Sequence, residues 1–205
     1  MGQVTTGFRT ILSHPYLYSM FQYLMGAHQG RIRFISDFVR PVPGSAILDI
    51  GCGTADILDY LPCVDYWGFD INLAYIDQAK ARFGVRGKFQ CQELKAADLD
   101  NLMKFDIVLA IGLLHHLDDT TAVNTLVLAH RALKREGHLL TIDPCIEPGQ
   151  NPIARFLVTH DRGQHVRTSE GYAALVSSIF MQPRVEVIHR SWIPYTHCIM
   201  QCTRQ

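Results

Sequence analysis

Two acidic residues and two glycines stand where they could hold a polar ligand. Asp49, Gly51 and Gly53 lie in the stretch ILDIGCGTADIL, where an apolar run ends in a carboxylate and a glycine-rich turn follows. A strand that passes through such a turn into a helix presents backbone N–H groups and a positive helix end to a ligand. Asp70 closes a second apolar run about twenty residues later, where an acid accepts hydrogen bonds from ribose hydroxyls.

The spacing argues against the common phosphate-binding turns. A dinucleotide turn, G-x-G-x-x-G/A, would need Gly or Ala at position 56, and this chain has Asp56, which would repel a pyrophosphate. The sequence also lacks the G-x-x-x-x-G-K-[ST] motif. Two acids around a glycine turn instead suit a ligand with a cationic amine and a ribose but no phosphate. S-adenosylmethionine has those parts.

The elements that must position these residues alternate between short apolar runs and helical patterns. This alternation is typical of a parallel sheet with helices on its faces. Two further β-like segments near the end are too close for a crossover helix and should pair antiparallel. We predict strands at 46–50, 66–70, 88–92, 105–111, 137–142, 184–190 and 196–203, and helices at 55–61, 73–83 and 120–133.

We expect one domain over residues 1–205. Residues 1–40 have a helical pattern with several aromatics and are predicted to form an N-terminal helical lid. Residues 144–180 are predicted to be an insertion that caps the substrate. Within it, Thr168 is expected to be the N-cap of a helix, with Glu170 in the first turn.

Composition narrows the classes of partner. Lys and Arg total 19 and Asp and Glu total 19, so the formal charge is zero and no basic face for nucleic acid is indicated. The six cysteines show no C-x-x-C pair and no zinc-ligand spacing, so we predict no metal site and a reduced, cytoplasmic compartment. No signal peptide and no membrane span are indicated, so we expect no stable membrane insertion.

Four stretches together resemble the successive motifs of class I S-adenosylmethionine-dependent methyltransferases of the small-molecule type. They cover roughly residues 46–144 in that family's order and spacing, and they read LDIGCGTAD, YWGFDINLAYIDQAK, FDIVLAIGLLHHLDD and ALKREGHLLTIDP. The resemblance implies an α/β fold with a Rossmann-like, doubly wound sheet of seven strands, the last one antiparallel. It also implies S-adenosylmethionine as the cofactor.

The resemblance also implies roles for individual residues. Asp49, Gly51 and Gly53 match the turn that lies against the methionine end of the cofactor. Asp70 matches the ribose-binding acid. The remaining cofactor-binding positions that the resemblance implies are Ile71 against the adenine, Glu93 in the adenine-contacting loop, and Ala110 with Ile111 at the end of the fourth strand.

Two histidines are candidate general bases. His115, in LLHHLDD, follows the fourth strand near where the methyl group should point, and an imidazole can remove a proton from an attacking hydroxyl or amine. His165, in DRGQHVR, is the second candidate, while Arg162 or Arg167 could hold a substrate carboxylate or phosphate. The alternatives are that His115 is structural and that DRGQHVR is a solvated loop.

The sequence therefore predicts a methyltransferase that acts on a small-molecule acceptor, with oxygen as the first choice of acceptor atom and nitrogen and carbon as alternatives. Nucleic-acid base methylation is disfavoured because AIGLLHH replaces the (N/D)-P-P-(Y/F) motif of those enzymes. Two rival interpretations are a catalytically silent methyltransferase-like protein that binds S-adenosylmethionine and, less favoured, a nicotinamide-dependent oxidoreductase.

Overall fold

The structure is a computed structural model that describes residues 27–161, 163–190 and 194–205. Seven strands form one mixed sheet, and the helices pack on both of its faces. The strands are β1 (Ala46–Ile50), β2 (Asp65–Asp70), β3 (Gly87–Cys91), β4 (Phe105–Ile111), β5 (Leu133–Pro144), β6 (Arg184–Arg190) and β7 (Tyr195–Thr203). The helices are α1 (Ala27–Phe34), α2 (Leu73–Phe83), α3 (Asp119–Ala132), α4 (Pro152–Thr159) and α5 (Ser169–Ser177).

The strand order is β3-β2-β1-β4-β5-β7-β6. Strands β1 to β5 pair in parallel, and β7 runs antiparallel to both β5 and β6. The predicted fold class, a doubly wound sheet with its last strand antiparallel, is therefore confirmed. The winding reverses between β1 and β4, so the carboxyl ends of these strands flank the crevice in which open α/β sheets bind ligands.

Each face of the sheet buries its own apolar layer. Helices α1 and α2 cover one layer, which includes Ile47 and Leu109, and helices α3 and α5 cover the other, which includes Leu48 and Val108. Adjacent residues of one strand thus fall in opposite layers, because successive side chains of a strand point to opposite faces. This double burial explains why β1 and β4 are apolar along almost their whole length.

The predicted helix at 55–61 is wrong. Only a single 3₁₀ turn forms there, Asp56–Asp59. Ala55 has a left-handed backbone with φ of 55°, so no helix can begin before it, and Pro62 prevents continuation at the other end. The side chain of Asp56 instead forms ion pairs with Arg31 and Arg82. The glycine turn is therefore not followed by the α-helix N-terminus that the sequence suggested.

The other element boundaries agree with the predictions to within a few residues. Thr168 caps α5 as predicted, because its hydroxyl accepts a hydrogen bond from the Gly171 N–H. Of the predicted lid at 1–40, the structure describes α1 and a π-helical turn, Ile35–Val39; the aromatics at positions 16–23 lie outside the described residues. None of the described helices is both long and apolar enough to span a bilayer.

Candidate active site

The turn after β1 is tight, and its backbone at Gly53 is not covered by side chains. Gly51 and Gly53 have φ of 74° and 55°, conformations that a residue with a Cβ rarely adopts. The N–H groups of Gly51 and Cys52 both donate to the Phe69 carbonyl, at 2.8 and 3.0 Å, which holds the turn against the end of β2. A Cβ built on Gly53 would meet no atom within 4 Å, whereas one on Gly51 would lie 2.9 Å from a methyl carbon of Leu113. The turn is thus covered by Leu113 at Gly51 and open at Gly53.

Asp70 fastens this turn to the second strand. One carboxylate oxygen accepts from the Gly53 N–H at 2.9 Å and the other accepts from the Asn72 N–H at 2.8 Å. Each oxygen keeps a lone pair for a further donor, and the side chain is only half-buried. Ile71 and Leu73 follow it and are 56% and 60% exposed, so apolar surface adjoins the carboxylate. A ribose with an attached base presents the matching pair of groups, two hydroxyls and a flat apolar ring.

Asp49 is buried directly before the turn. The Tyr66 hydroxyl donates to one of its oxygens at 2.6 Å, and the other oxygen is buried without a partner among the described residues. Burial raises the pKa of this carboxyl to about 7; the bond from Tyr66 opposes the rise and the charge of Asp70 adds to it. An ammonium group of a ligand would supply the counter-charge and donor that this oxygen lacks. The residues around the turn therefore fit S-adenosylmethionine.

The remaining predicted cofactor positions lie at the ends of neighbouring strands. Ala110 and Ile111 end β4, which pairs directly with β1 so that Leu109 is the neighbour of Asp49 in register. Glu93 lies in an exposed segment two residues after Cys91. Cys91, on β3, pairs with Asp70, on β2. The β2-β1-β4 order thus brings the predicted cofactor residues to one edge of the sheet, Glu93 being the outermost.

His115 lies in a 3₁₀ turn after β4 and is only 5% exposed. Its Nδ1 lies 2.8 Å from an oxygen of Asp143 at the end of β5, and its Nε2 lies 3.3 Å from an oxygen of Asp161. The same oxygen of Asp143 also accepts from the His115 backbone N–H at 3.1 Å. The Tyr195 hydroxyl on β7 donates to the other oxygen of Asp161 at 2.5 Å. Two carboxylates from different parts of the chain therefore hold this ring.

The charges in this cluster stabilise one another. Burial alone would lower the pKa of His115, but the hydrogen bonds and attraction of Asp143 and Asp161 outweigh it and raise the pKa to about 9. Burial would likewise raise the pKa of Asp161, but the bond from His115, its charge, and the bonds from Tyr195 and Gly163 hold that pKa far below its usual range. At neutral pH the ring is an imidazolium between two carboxylates, with no lone pair to accept a proton.

The guanidinium of Arg167 forms its hydrogen bonds within the protein, contrary to the prediction that it could bind substrate. Its guanidinium donates to the carbonyls of Leu114, Leu117 and His165 and to the carboxylate of Asp119, at 2.6 to 2.9 Å. These bonds use all three nitrogens of the guanidinium group. Its predicted alternative, Arg162, lies outside the described residues.

His165, the second predicted base, is held through its backbone. Its N–H donates to the His115 carbonyl at 3.0 Å, and the residue is half-buried. This backbone bond places His165 beside the turn that follows β4.

Sequence reasoning did not select Tyr66, Asp143 or Tyr195. Tyr66 lies on the same sheet face as Asp49, a relation that the strand register sets. Asp143 stood in the quoted motif TIDP, and an acid at the end of an apolar strand was a signal that could have drawn attention to it. No sequence pattern around Tyr195 indicated that it would lie at the site.

A family model described as a methyltransferase domain matches residues 48–139. The matched stretch contains the glycine turn, Asp70, β4 and the start of β5. This part of the chain is similar to a methyltransferase domain.

Known proteins agree with that assignment. The chain is similar to a TehB-like SAM-dependent methyltransferase from Corynebacterium glutamicum, with a TM-score of 0.64 and 20% identity over 94% of this chain and 99% of that chain. It is also similar to the mitomycin 7-O-methyltransferase MmcR, with a TM-score of 0.61 and 20% identity over 97% of this chain and 61% of that chain. At these identities the likeness establishes the fold alone.

A sequence relative is an uncharacterized protein of Synechococcus sp., syc1184_c. It is 37% identical over an alignment of 81 residues that covers 36% of this chain and 19% of that protein, so the chain spans about a fifth of that relative. The predicted fold is confirmed, and the family match over residues 48–139 supports the predicted class of domain, whereas the cofactor stays a prediction. The acceptor and the roles of individual residues stay predictions.

Proposed function

We propose that this methyltransferase domain binds S-adenosylmethionine and transfers its methyl group to a small-molecule acceptor, with oxygen as the acceptor atom. The observation that carries the proposal is the buried oxygen of Asp49 that no described residue contacts by a hydrogen bond, beside a glycine turn that is open at Gly53. The fold shared with a SAM-dependent methyltransferase and with a 7-O-methyltransferase supports the proposal.

In this proposal the residues of the turn bind and orient the cofactor. Asp49 accepts a hydrogen bond from its ammonium group, and the open backbone at Gly53 lies against its amino-acid end. Asp70 accepts from the ribose hydroxyls through its free lone pairs. Ile71 lies against the adenine, Glu93 lies at the edge of that pocket, and the backbone at Ala110 and Ile111 contacts the cofactor from β4.

The bound cofactor supplies an electrophilic methyl carbon, so the protein's main tasks are in-line placement of the acceptor and exclusion of water. We propose that residues 1–40 form a lid and that residues 144–180 cap the acceptor. Of the two candidate bases, His165 is the better placed, because both ring nitrogens of His115 already lie against carboxylate oxygens. A base is required only if the acceptor carries its proton at neutral pH. Nitrogen and carbon remain the alternative acceptor atoms.

We further propose a cytoplasmic location and no nucleic-acid partner. All six cysteines are free thiols, as is usual in a reducing compartment. The formal charge of zero offers no surplus of cations for phosphates. A gel-shift assay at low salt with random-sequence DNA and RNA tests the second statement, and binding in the micromolar range would contradict it.

Titration calorimetry with S-adenosylhomocysteine tests the cofactor part. We expect the wild type to bind it and not NAD, and we expect Asp70→Ala to lose about 1–3 kcal/mol of binding free energy because charged hydrogen bonds to the ribose disappear. Asp77→Ala, an exposed carboxylate on α2, is the matched control and should bind like the wild type. Because Asp70 also holds Gly53, melting temperatures are recorded for each variant.

The outcomes separate the rival functions. Failure of the wild type to bind S-adenosylhomocysteine would refute the proposal, and uptake of NAD instead would favour the oxidoreductase. Unchanged affinity in Asp70→Ala would remove ribose binding from the account. Binding without transfer of a labelled methyl group to any component of a metabolite extract would favour the catalytically silent protein. If labelled products form, mass spectrometry identifies the acceptor atom.

A further inference from the structure

Residues 161–167 of the capping insertion are fastened to the turn that follows β4; we call these residues, apart from position 162, the strap. Gly163 packs against the face of the His115 ring so closely that a Cβ at this position would lie 2.1 Å from the ring carbon Cδ2. The His165 N–H donates to the His115 carbonyl. At the far end of the strap, Arg167 donates to the carbonyls of Leu114 and Leu117. The strap therefore contacts the turn at Gly163, His165 and Arg167.

The fastening at the near end depends on the charge of His115. Its two ring nitrogens lie within 3.3 Å of carboxylate oxygens of Asp143 and Asp161. A neutral imidazole has one N–H and one lone pair, so one of the two carboxylates would face a lone pair and be repelled. Only the doubly protonated ring donates to both at once.

The carboxylates of Asp143 and Asp161 favour this charged ring. Asp143 lies at the end of β5 and Asp161 lies in the strap, and both contact the ring. The hydroxyl of Tyr195, on β7, donates a hydrogen bond to Asp161. His116 is the ring neighbour within the same turn, with centroids 4.0 Å apart. The guanidinium of Arg167, the cation at the other end of the strap, is directed to Asp119 and main-chain carbonyls.

We propose that Asp161 is a positioning residue: it holds His115 as an imidazolium, and this cation fastens the strap across the carboxyl ends of β4 and β5. Asp143 anchors the other side of the ring to the sheet. The strap thereby forms a fixed wall on the acceptor side and brings His165 beside the site. That last step rests on the proposed function, whereas the fastening itself does not.

A consequence is that the strap is docked only while His115 keeps both ring protons. Loss of the second proton at alkaline pH turns a ring lone pair towards one of the two carboxylates, and this repulsion loosens the near end of the strap. The far end stays attached, because the bonds of Arg167 to main-chain carbonyls and to Asp119 do not involve the ring protons of His115.

Nitrogen-15 NMR of the histidine rings and amide hydrogen exchange test the proposal without any acceptor. The His115 signals are assigned by their loss in His115→Gln. We expect both ring nitrogens of the wild type to be protonated at about pH 8, and the exchange protection of Gly163 and His165 to fall as the ring titrates near its pKa of about 9. A neutral His115 ring in the wild type at about pH 7, or protection that does not follow its titration, would overturn the proposal.

Substitutions of Asp161 provide a second test of the proposal. In Asp161→Asn we expect the His115 ring to lose its proton at lower pH and the protection of Gly163 and His165 to fall at least about tenfold, with α2 unchanged. Asp161→Glu should recover part of both effects, and Asp77→Asn, on the exposed face of α2, should show neither. Equal protection in Asp161→Asn and the wild type would also overturn the proposal. Titration with S-adenosylhomocysteine in the same samples reports separately on the proposed function.

Discussion

Asp49→Asn separates the stability cost of the buried carboxylate from its proposed role in binding. The substitution preserves the shape of the side chain and an acceptor for the Tyr66 hydroxyl, but it removes the charge and the titration. In the wild type the second oxygen of Asp49 is buried without a partner among the described residues. We therefore expect the variant to be more stable than the wild type at alkaline pH and to bind S-adenosylhomocysteine more weakly.

The magnitude follows from the pKa of the carboxyl. It is about 7 in the folded protein against a usual value of 3.8, a difference worth about 4 kcal/mol at 1.36 kcal/mol for each pH unit. Between these two values the unfolded chain has lost the proton and the native protein keeps it. The native state then binds more protons, so the free energy of unfolding of the wild type falls as the pH rises from about 4 to about 7. Asp49→Asn lacks this contribution.

Urea unfolding of the ligand-free proteins at about pH 5 and about pH 8 measures the effect. The difference in unfolding free energy, variant minus wild type, should become more positive by about 3 kcal/mol between these conditions, which corresponds to a shift in melting temperature on the order of 10 °C. All other titrating groups are common to both proteins and largely cancel in the difference. Asp77→Asn, an exposed carboxylate, should show no such change.

Parallel stability profiles for Asp49→Asn and the wild type would refute the reasoning, because they would mean that Asp49 titrates alike in the folded and unfolded chain. A gain in stability without a loss of affinity for S-adenosylhomocysteine would leave the electrostatic account intact and remove Asp49 from the binding site. The expected pair of effects is higher stability together with weaker binding. This trade-off is common where a group that binds a ligand lowers the stability of the free protein.

Two further substitutions test the packing around the site. Gly68→Ala would put a Cβ 2.7 Å from the Cys52 sulfur, so urea unfolding should show a loss of about 1–3 kcal/mol. Part of that loss should return in the double variant with Cys52→Ala, and a loss below about 0.5 kcal/mol would contradict the close contact. Arg167→Lys cannot reproduce the planar fork that binds Asp119 and three carbonyls. Its melting temperature should fall by several degrees while that of Arg184→Lys, an exposed control, stays constant; equal melting temperatures would mean that the fork is not needed.

The fold was largely predictable from local patterns. Short apolar runs and the longer helical patterns between them indicate strands and helices wherever both faces of a sheet must be covered. The glycines of the turn are readable in the same way, because Gly51 and Gly53 adopt backbone angles that other residues avoid. The helix predicted at 55–61 failed because the left-handed Ala55 and Pro62 leave room for one turn only.

Strand order decided which residues meet at the carboxyl ends. Asp49 and Asp70 lie close to one turn because β1 lies beside β2, and the spacing of the two acids already indicated this. The partner of Asp49 could not be read in the same way. Tyr66 reaches it only because the two side chains lie on one face of adjacent strands, a relation that a shift of one residue in register would abolish.

By itself the sequence determined the class of domain, the place of the glycine turn and the acid that follows it, since these depend on neighbours within a few residues or on a fixed spacing. The tertiary structure decided what the titrating groups do. His115 is read from the sequence as a free imidazole, yet Asp143 and Asp161, which lie 28 and 46 positions further along the chain, hold it as a buried cation. Burial and charge pairing set the protonation of such a group, and both arise only when distant segments pack together.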